Sequence, residues 1–293
     1  MHVFITGATG LIGSAVTAEL LSAGHTVTAL TRSDASRAKA VAAGADTVDG
    51  GITDLDTLRE VATRADGVIH LAFGNDFSSP EALMQNIADE TAALDTLGDA
   101  LIGTGKPLVT VSGTPWVEGR LSTEEDPLPL DGPVGGRGQT VNRVLALSEQ
   151  GVRSNAIRLP RTVHNEGDGG FAGLLTQRAR QTGVAGYPGD GTQRWPAVHA
   201  LDAAVLFRLA LERGAAGSAW HAVADEADTV ADIAAVIGRR LGLPVESLPT
   251  EDFGPIGPVF AMDQPSSSAR TRAELGWEPT HPSLLADLET LQP

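Results

Sequence analysis

Cysteine is absent from this chain. No disulfide and no thiolate metal site can form, and a reducing compartment suits it. Positive charge is scarce: 21 Lys and Arg stand against 37 Asp and Glu, for a net charge of −16. A chain this acidic lacks the electrostatic footprint for gripping nucleic-acid phosphates or an anionic membrane. Aromatic residues make up only 4%, with a single tyrosine, Tyr187. No apolar run approaches the length that spans a bilayer. A first strand that begins at His2 leaves no room for a charged and apolar leader segment. No spacing of His, Asp and Glu suggests a metal site. The expectation is a soluble, cytoplasmic protein acting on a small molecule, without nucleic acid, membrane or metal.

What is present is alternation. With 293 residues and 42% hydrophobic content, the chain can bury one large core or two smaller ones. Strand patterns fall at His2–Thr6, Thr26–Leu30, around Val48, at Gly67–Leu71, Pro107–Ser112 and Asn155–Leu159. Helical spacing falls between them, at Leu11–Ala23, Ala35–Ala43, Pro80–Gly103 and Gln139–Gln150. Strands separated by helices pair in parallel through right-handed crossovers, so the fold class is α/β with a doubly wound parallel sheet. Proline and glycine become frequent over 160–196 and 244–265, which points to loops and a less regular second lobe.

The first turn reads ITGATGLIGSA, placing Gly7, Gly10 and Gly13 between a strand and a helix. Gly7 permits a tight turn, Gly10 a close approach of backbone to a pyrophosphate, and Gly13 close helix-to-strand packing. The positive end of the helix then faces the phosphates, with Thr9, Leu11 and Ile12 around it. A tight turn without a ligand is the alternative.

The spacing Gly-x-x-Gly-x-x-Gly, the HLA at 70–72, Ser112 in VTVSG, RLPRTVHNEGDGGF at 158–171, RWPAVHALDAA at 194–204 and ARTRAELGWEPTHPSL at 269–284 occur in that order. Together they resemble the extended branch of the short-chain dehydrogenase/reductase superfamily over nearly the whole chain. The resemblance implies a Rossmann domain from 1–160 plus 197–222. A small substrate-binding lobe would come from 161–196 plus 223–293, with ligands between the two at the carboxyl ends of the strands. It also implies cofactor contacts from Gly51, Ile52, Leu71, Ala72, Phe73, Leu159 and Pro160. The helices Pro80–Gly103 and Gln139–Gln150 correspond to those which pair two subunits in many relatives, so a homodimer is expected.

The second strand ends TALTRS, with Thr31 where an acid would hold the ribose of NAD. Arg32 beside it can form a charge-assisted fork to the 2′-phosphate of NADP, and Ser33 can add a hydroxyl. Arg37 can join them, while Asp34 opposes a phosphate. NADP is therefore expected in preference to NAD, although Arg32 could instead be a solvated charge. DGGITD after the third strand leaves the adenine contact to backbone, with Asp54 nearby.

In the family so resembled, a tyrosine donates the proton and a lysine four residues on lowers its pKa, while a serine holds the same oxygen. This chain has no Tyr-x-x-x-Lys. In LDGPVGGRGQTV (130–141) the lysine slot falls on Arg137 and the tyrosine slot on Pro133. The stretch resembles an atypical subgroup with His-x-x-x-Arg, here without the histidine; Gln139 with Arg143 is a second possible register. Arg137 could anchor the nicotinamide ribose or steady an oxyanion, but a guanidinium hardly releases a proton. Ser112 can polarise a carbonyl. His164, in the loop after the sixth strand, is the candidate acid by its ordinary pKa, or else a plain loop residue. His70 and His199 look like packing residues. Trp116 and Trp195 could wall the substrate pocket or pack the core, and Arg194 matches an arginine that binds anionic substrates in sugar-nucleotide relatives. Three functions remain open: an NADPH-dependent reductase of a small ketone or aldehyde, a sugar-nucleotide epimerase or dehydratase, and a non-catalytic NADP-binding sensor.

Overall fold

The computed structural model describes residues 1–132 and 134–292. The chain opens β1 (His2–Thr6), α1 (Leu11–Ser22), β2 (Thr26–Thr31), α2 (Asp34–Ala42), β3 (Asp46–Asp49), α3 (Leu55–Arg64), β4 (Gly67–His70), α4 (Pro80–Leu101) and β5 (Pro107–Gly113). It continues α5 (Gly135–Ala146), β6 (Arg153–Leu159), β7 (Thr162–His164), α6 (Gly170–Thr182), β8 (Ala185–Pro188), β9 (Arg194–His199), α7 (Ala200–Arg213) and β10 (Ser218–His221). The last part is β11 (Asp225–Thr229), α8 (Val230–Leu241), β12 (Val245–Leu248), α9 (Gly257–Phe260), α10 (Ala269–Leu275) and α11 (Leu284–Leu288).

Seven parallel strands form one sheet in the order β10-β6-β5-β4-β1-β2-β3. The order reverses beside β1, which is where a doubly wound sheet opens a crevice for ligands. Side-chain alternation divides the core. Val3, Ile5, Ile69 and Val109 face α1 and α7 with Val16, Leu20 and Phe207. Phe4, Val68 and Leu108 face the other way, onto Leu58, Leu94 and Leu97 of α3 and α4. Both faces are covered, so β1 reads as an unbroken apolar run.

Past β6 the chain leaves this sheet. The strands β11, β9 and β7 make a three-stranded sheet, and β12 pairs with β8. Their core holds Trp195, Phe253, Phe260, Ile233, Ile237 and Leu284. Among the described residues no helix is long and apolar enough to cross a membrane.

Two elements differ from the sequence reading. The helix expected at Gln139 begins at Gly135 and gives way to a 3₁₀ turn over Leu147–Gln150. A Cβ on Gly135 would lie 2.5 Å from Leu130 O, and one on Gly138 2.2 Å from Pro129 O. The glycines that suggest a loop therefore let α5 lie on the segment before it. Also unforeseen was α3, whose buried Leu58 and Ala62 lie one turn apart.

Candidate functional site

The glycines after β1 play two different roles. Gly7 has φ +73°, and a Cβ there would lie 2.7 Å from Ala72 N. A Cβ on Gly13 would come within 2.0 Å of Gly7 O. These two glycines are demanded by the packing of the protein on itself. At Gly10, with an ordinary φ of −76°, a Cβ would meet nothing nearer than Gly7 O at 3.7 Å. The fold does not require glycine there, yet the open space faces the first turn of α1, which no side chain caps. Helix geometry leaves the amides of Leu11, Ile12 and Gly13 without partners, at the positive end of the helix. Thr9, partly buried, borders the same turn. A dinucleotide pyrophosphate fits this donor set.

At the end of β2, Thr31 is buried and its hydroxyl donates to Val48 O at 3.3 Å. Arg32 is exposed and makes no hydrogen bond or ion pair among the described residues. Ser33 caps α2, its Oγ accepting from Ser36 N at 3.2 Å. Arg37 is drawn aside to Asp49 at 2.5 Å and Asp34 at 3.7 Å, so Asp34 is partly neutralised. Gly51 N donates to Asp54 Oδ2 at 2.6 Å, and Ile52 packs on the core beneath α3.

The carboxyl ends of β4 and β5 carry the polar groups. The amides of Leu71 and Ala72 both donate to Thr6 Oγ1 at 3.2 Å. The Thr6 hydroxyl hydrogen is then directed to His70 Nδ1, 2.9 Å away. Nδ1 therefore accepts, and the ring proton sits on Nε2, which is buried without a partner. Burial, reinforced by the charge of Arg137, holds His70 down to about 4, so its imidazole is neutral. Thr110 Oγ1 and Ser112 Oγ are likewise buried, with no partner among the described residues.

Arg137 lies in the first turn of α5. Its Nε and Nη2 donate to Glu90 Oε2 and Oε1, both at 2.7 Å, and its guanidinium lies 4.3 Å from the centre of the Phe73 ring. Glu90, on α4 and 3% exposed in its side chain, was not foreseen. Nothing local marks it, because it meets Arg137 from 47 positions away. Arg137 Nη1 makes no hydrogen bond among the described residues. The tyrosine slot, Pro133, lies outside the described residues. In the other register, Gln139 donates to Leu130 O at 2.9 Å and Arg143 pairs with Asp95 at 3.3 Å, half exposed.

The expected substrate residues separate. Trp116, half exposed, lines a pocket of about 410 Å³ with Glu118, Gly119, Ala261, Met262 and Asp263. Arg194 meets this pocket through Asp263, donating to both its oxygens at 3.0 and 2.7 Å. Trp195 is fully buried in the second core, and Tyr187 is on β8. Leu159 O accepts from Thr114 N at 2.9 Å, which holds the loop after β5 against the end of β6, next to buried Pro160.

His164 is not on an open loop. It sits in β7, 1% exposed, with Nδ1 at 2.7 Å from Asp287 Oδ2 and its ring edge-on to His199. His199 accepts from Leu201 N to cap α7 and stacks on His281, which is paired with Asp202. This cluster, assembled from β7, β9 and the chain after α10, was also unforeseen. His164, His199 and Asp287 offer ligand atoms within 4.8 Å of one another. The 2.7 Å contact is a hydrogen bond. Two ligands on one tetrahedral zinc stand roughly 3.3 Å apart.

Residues 3–133 match the NAD dependent epimerase/dehydratase family. An uncharacterized protein of Schizosaccharomyces pombe is 42% identical over 294 residues, covering 98% of each chain. A 2-alkyl-3-oxoalkanoate reductase of Stenotrophomonas maltophilia is 29% identical over 228 residues, 75% of this chain and 68% of that one. Among solved structures, a UDP-glucose 4-epimerase of Thermotoga maritima aligns with a TM-score of 0.80 at 20% identity, over 99% of this chain and 97% of that one.

Proposed function

Because this chain belongs to the NAD-dependent epimerase/dehydratase family, we propose that it is an oxidoreductase which uses NADPH to reduce a small ketone or aldehyde. The observation that carries the reading is the hydroxyl of Ser112, buried and partnerless at the carboxyl end of β5. A buried polar group without a partner costs on the order of 1–3 kcal/mol, and a substrate carbonyl oxygen is the acceptor it lacks. Bound NADPH supplies the hydride. Ser112 orients the carbonyl and stabilises the charge that grows on its oxygen. Arg137 is aimed by Glu90 and Phe73, leaving Nη1 for a ribose hydroxyl or that charge. Water is the proton source, since His164 is sealed off beside Asp287. The name of the Stenotrophomonas relative, a reductase of an oxo acid, supports carbonyl reduction.

Exposed Arg32, free of acidic partners among the described residues, supports NADPH over NADH. A homodimer through α4 and α5 goes with this reading, and light scattering that shows a monomer at every concentration would remove it. The deciding experiment follows NADPH oxidation over a panel of ketones and aldehydes. Turnover should be slow, because a missing general acid forfeits about 10²–10⁴ in rate. Ser112→Ala should lower kcat far more than NADPH affinity; wild-type turnover in that variant would refute the role. Binding of NADPH with no carbonyl reduced replaces the enzyme by a sensor, and turnover of a nucleoside diphosphate sugar replaces the reductase by an epimerase or dehydratase.

A further inference from the structure

Arg161 directly follows Pro160 at the end of β6, where the chain passes from the large sheet into β7. Its Nη1 donates to Val259 O at 2.8 Å. Its Nε is buried with no partner among the described residues, and the guanidinium lies 5.1 Å from the Phe171 ring centre and 6.0 Å from that of Trp195. No carboxylate pairs with it among the described residues. Several other guanidinium groups meet carboxylates: Arg137 pairs with Glu90, Arg194 with Asp263 and Arg208 with Glu19, and Arg158 has the charges of Glu124 and Asp126 nearby; Arg153 instead donates to the carbonyls of Ala210, Leu211 and Gly214. Burial alone acts on Arg161, pushing it down to about 10, so it stays a cation near neutral pH. An uncompensated buried charge is costly. It is the more notable in a chain where acids outnumber bases by 37 to 21.

Position gives this cation a use. Val259, which accepts its hydrogen bond, stands shortly before Ala261, Met262 and Asp263 of the pocket that Trp116 lines. The next residue, Gln264, donates to Thr114 O at 2.6 Å and so ties that segment to the end of β5, two residues past Ser112. Ser112 itself is paired in register with Arg158 of β6. The cation and the partnerless hydroxyl thus lie at the carboxyl ends of adjacent strands. Arg194, the anion receptor that the sequence suggests, is already occupied by Asp263 on two oxygens.

We propose that Arg161 receives a carboxylate on the substrate, so that the compound reduced is an oxo acid rather than a neutral ketone. This rests on the reductase reading above. A planar guanidinium matches the two oxygens of a carboxylate. One cation balances one negative charge; a phosphate dianion would leave charge over.

The test uses the full chain saturated with NADP. Acetoacetate, its neutral ethyl ester, 3-oxooctanoate and inorganic phosphate are titrated calorimetrically into wild type, Arg161→Gln and Arg161→Lys, and both oxo acids and the ester are assayed for NADPH oxidation. Wild type should bind an acid about tenfold or more tighter than the ester. Arg161→Gln should lose that advantage with ester binding and NADPH affinity unchanged, and Arg161→Lys should retain part of it, each with an unaltered melting transition. An acid preference that survives in Arg161→Gln, no preference in wild type, or loss of ester and acid alike overturns the proposal. Phosphate binding more tightly than either acid overturns the carboxylate. If the acids bind through Arg161 but no NADPH is oxidised, the receptor stands and the reductase reading falls.

Discussion

Replacing Arg137 by methionine isolates the pair that closes α4 onto α5. The methionine keeps an unbranched apolar side chain but removes the guanidinium that lies over Phe73, and with it two hydrogen bonds of 2.7 Å each to Glu90. Glu90 is 3% exposed and is left as a charge without a partner, whereas Arg137, at 27%, is partly hydrated already. Breaking a buried pair from one side typically costs about 3–5 kcal/mol, nearly all of it from the stranded charge. The solvent at Arg137 argues for the lower end, about 3 kcal/mol. That is a large share of a typical stability of about 5–15 kcal/mol. Urea unfolding followed by tryptophan fluorescence should show the midpoint falling by about 1 M, at a slope near 3 kcal/mol per M. Glu90→Leu combined with Arg137→Met removes both charges, so it should recover most of the loss. A single variant within 1 kcal/mol of wild type would refute the reasoning. So would a double variant no more stable than the single, since the stranded carboxylate would then not be the cause.

Gly10→Ala and Gly13→Ala should behave oppositely: the first keeps the melting temperature to within a few degrees but weakens NADPH binding, while the second puts a Cβ 2.0 Å from Gly7 O and lowers stability itself. Thermal melts with and without NADPH separate them, and equal losses of stability would contradict the distinction. Arg32→Ala should weaken NADPH binding about tenfold or more and leave NADH unchanged, as fluorescence titration can measure; an unchanged preference rules Arg32 out. Stability should fall with pH below neutrality. His70 and His221 are held down to about 4 by burial, while the unfolded imidazoles take up protons near 6.5, so the unfolded state binds more protons in that window. The loss is present between pH 6.5 and 4 and amounts to at most roughly 3 kcal/mol per histidine. Asp228, raised to about 6 by burial and by Asp225 and Asp232, acts in the opposite sense, its contribution being lost as pH rises through 6. Asp228→Asn should therefore stabilise at pH 8 and not at pH 4. Urea midpoints that stay flat from pH 6.5 to 4.5 would overturn the histidine account.

The strand, turn and helix around Gly7, Gly10 and Gly13 are local, and their pattern is complete within a dozen residues. That is why the tight turn after β1 and the doubly wound sheet were legible from the sequence. Periodicity also contains α3, in the one-turn spacing of Leu58 and Ala62. The start of α5 was misread because glycine lowers helix propensity, and only the backbone of Leu130 and Pro129 lying against Gly135 and Gly138 explains those residues.

By itself, then, the sequence determined what short-range sterics and alternation control: the order of strands and helices, the tight first turn, and the lack of a tyrosine and lysine pair. Tertiary structure alone decided which charges meet. Glu90 reaches Arg137 across 47 positions and Asp287 reaches His164 across 123, turning a candidate acid on an expected loop into a buried, paired histidine. Arg161 looks like any other arginine in the sequence. It becomes distinctive only when folding places it against Phe171, Trp195 and a carbonyl, with no carboxylate among the described residues. An interaction between charges depends on distance and burial, and those are fixed by the packing of elements far apart in the chain.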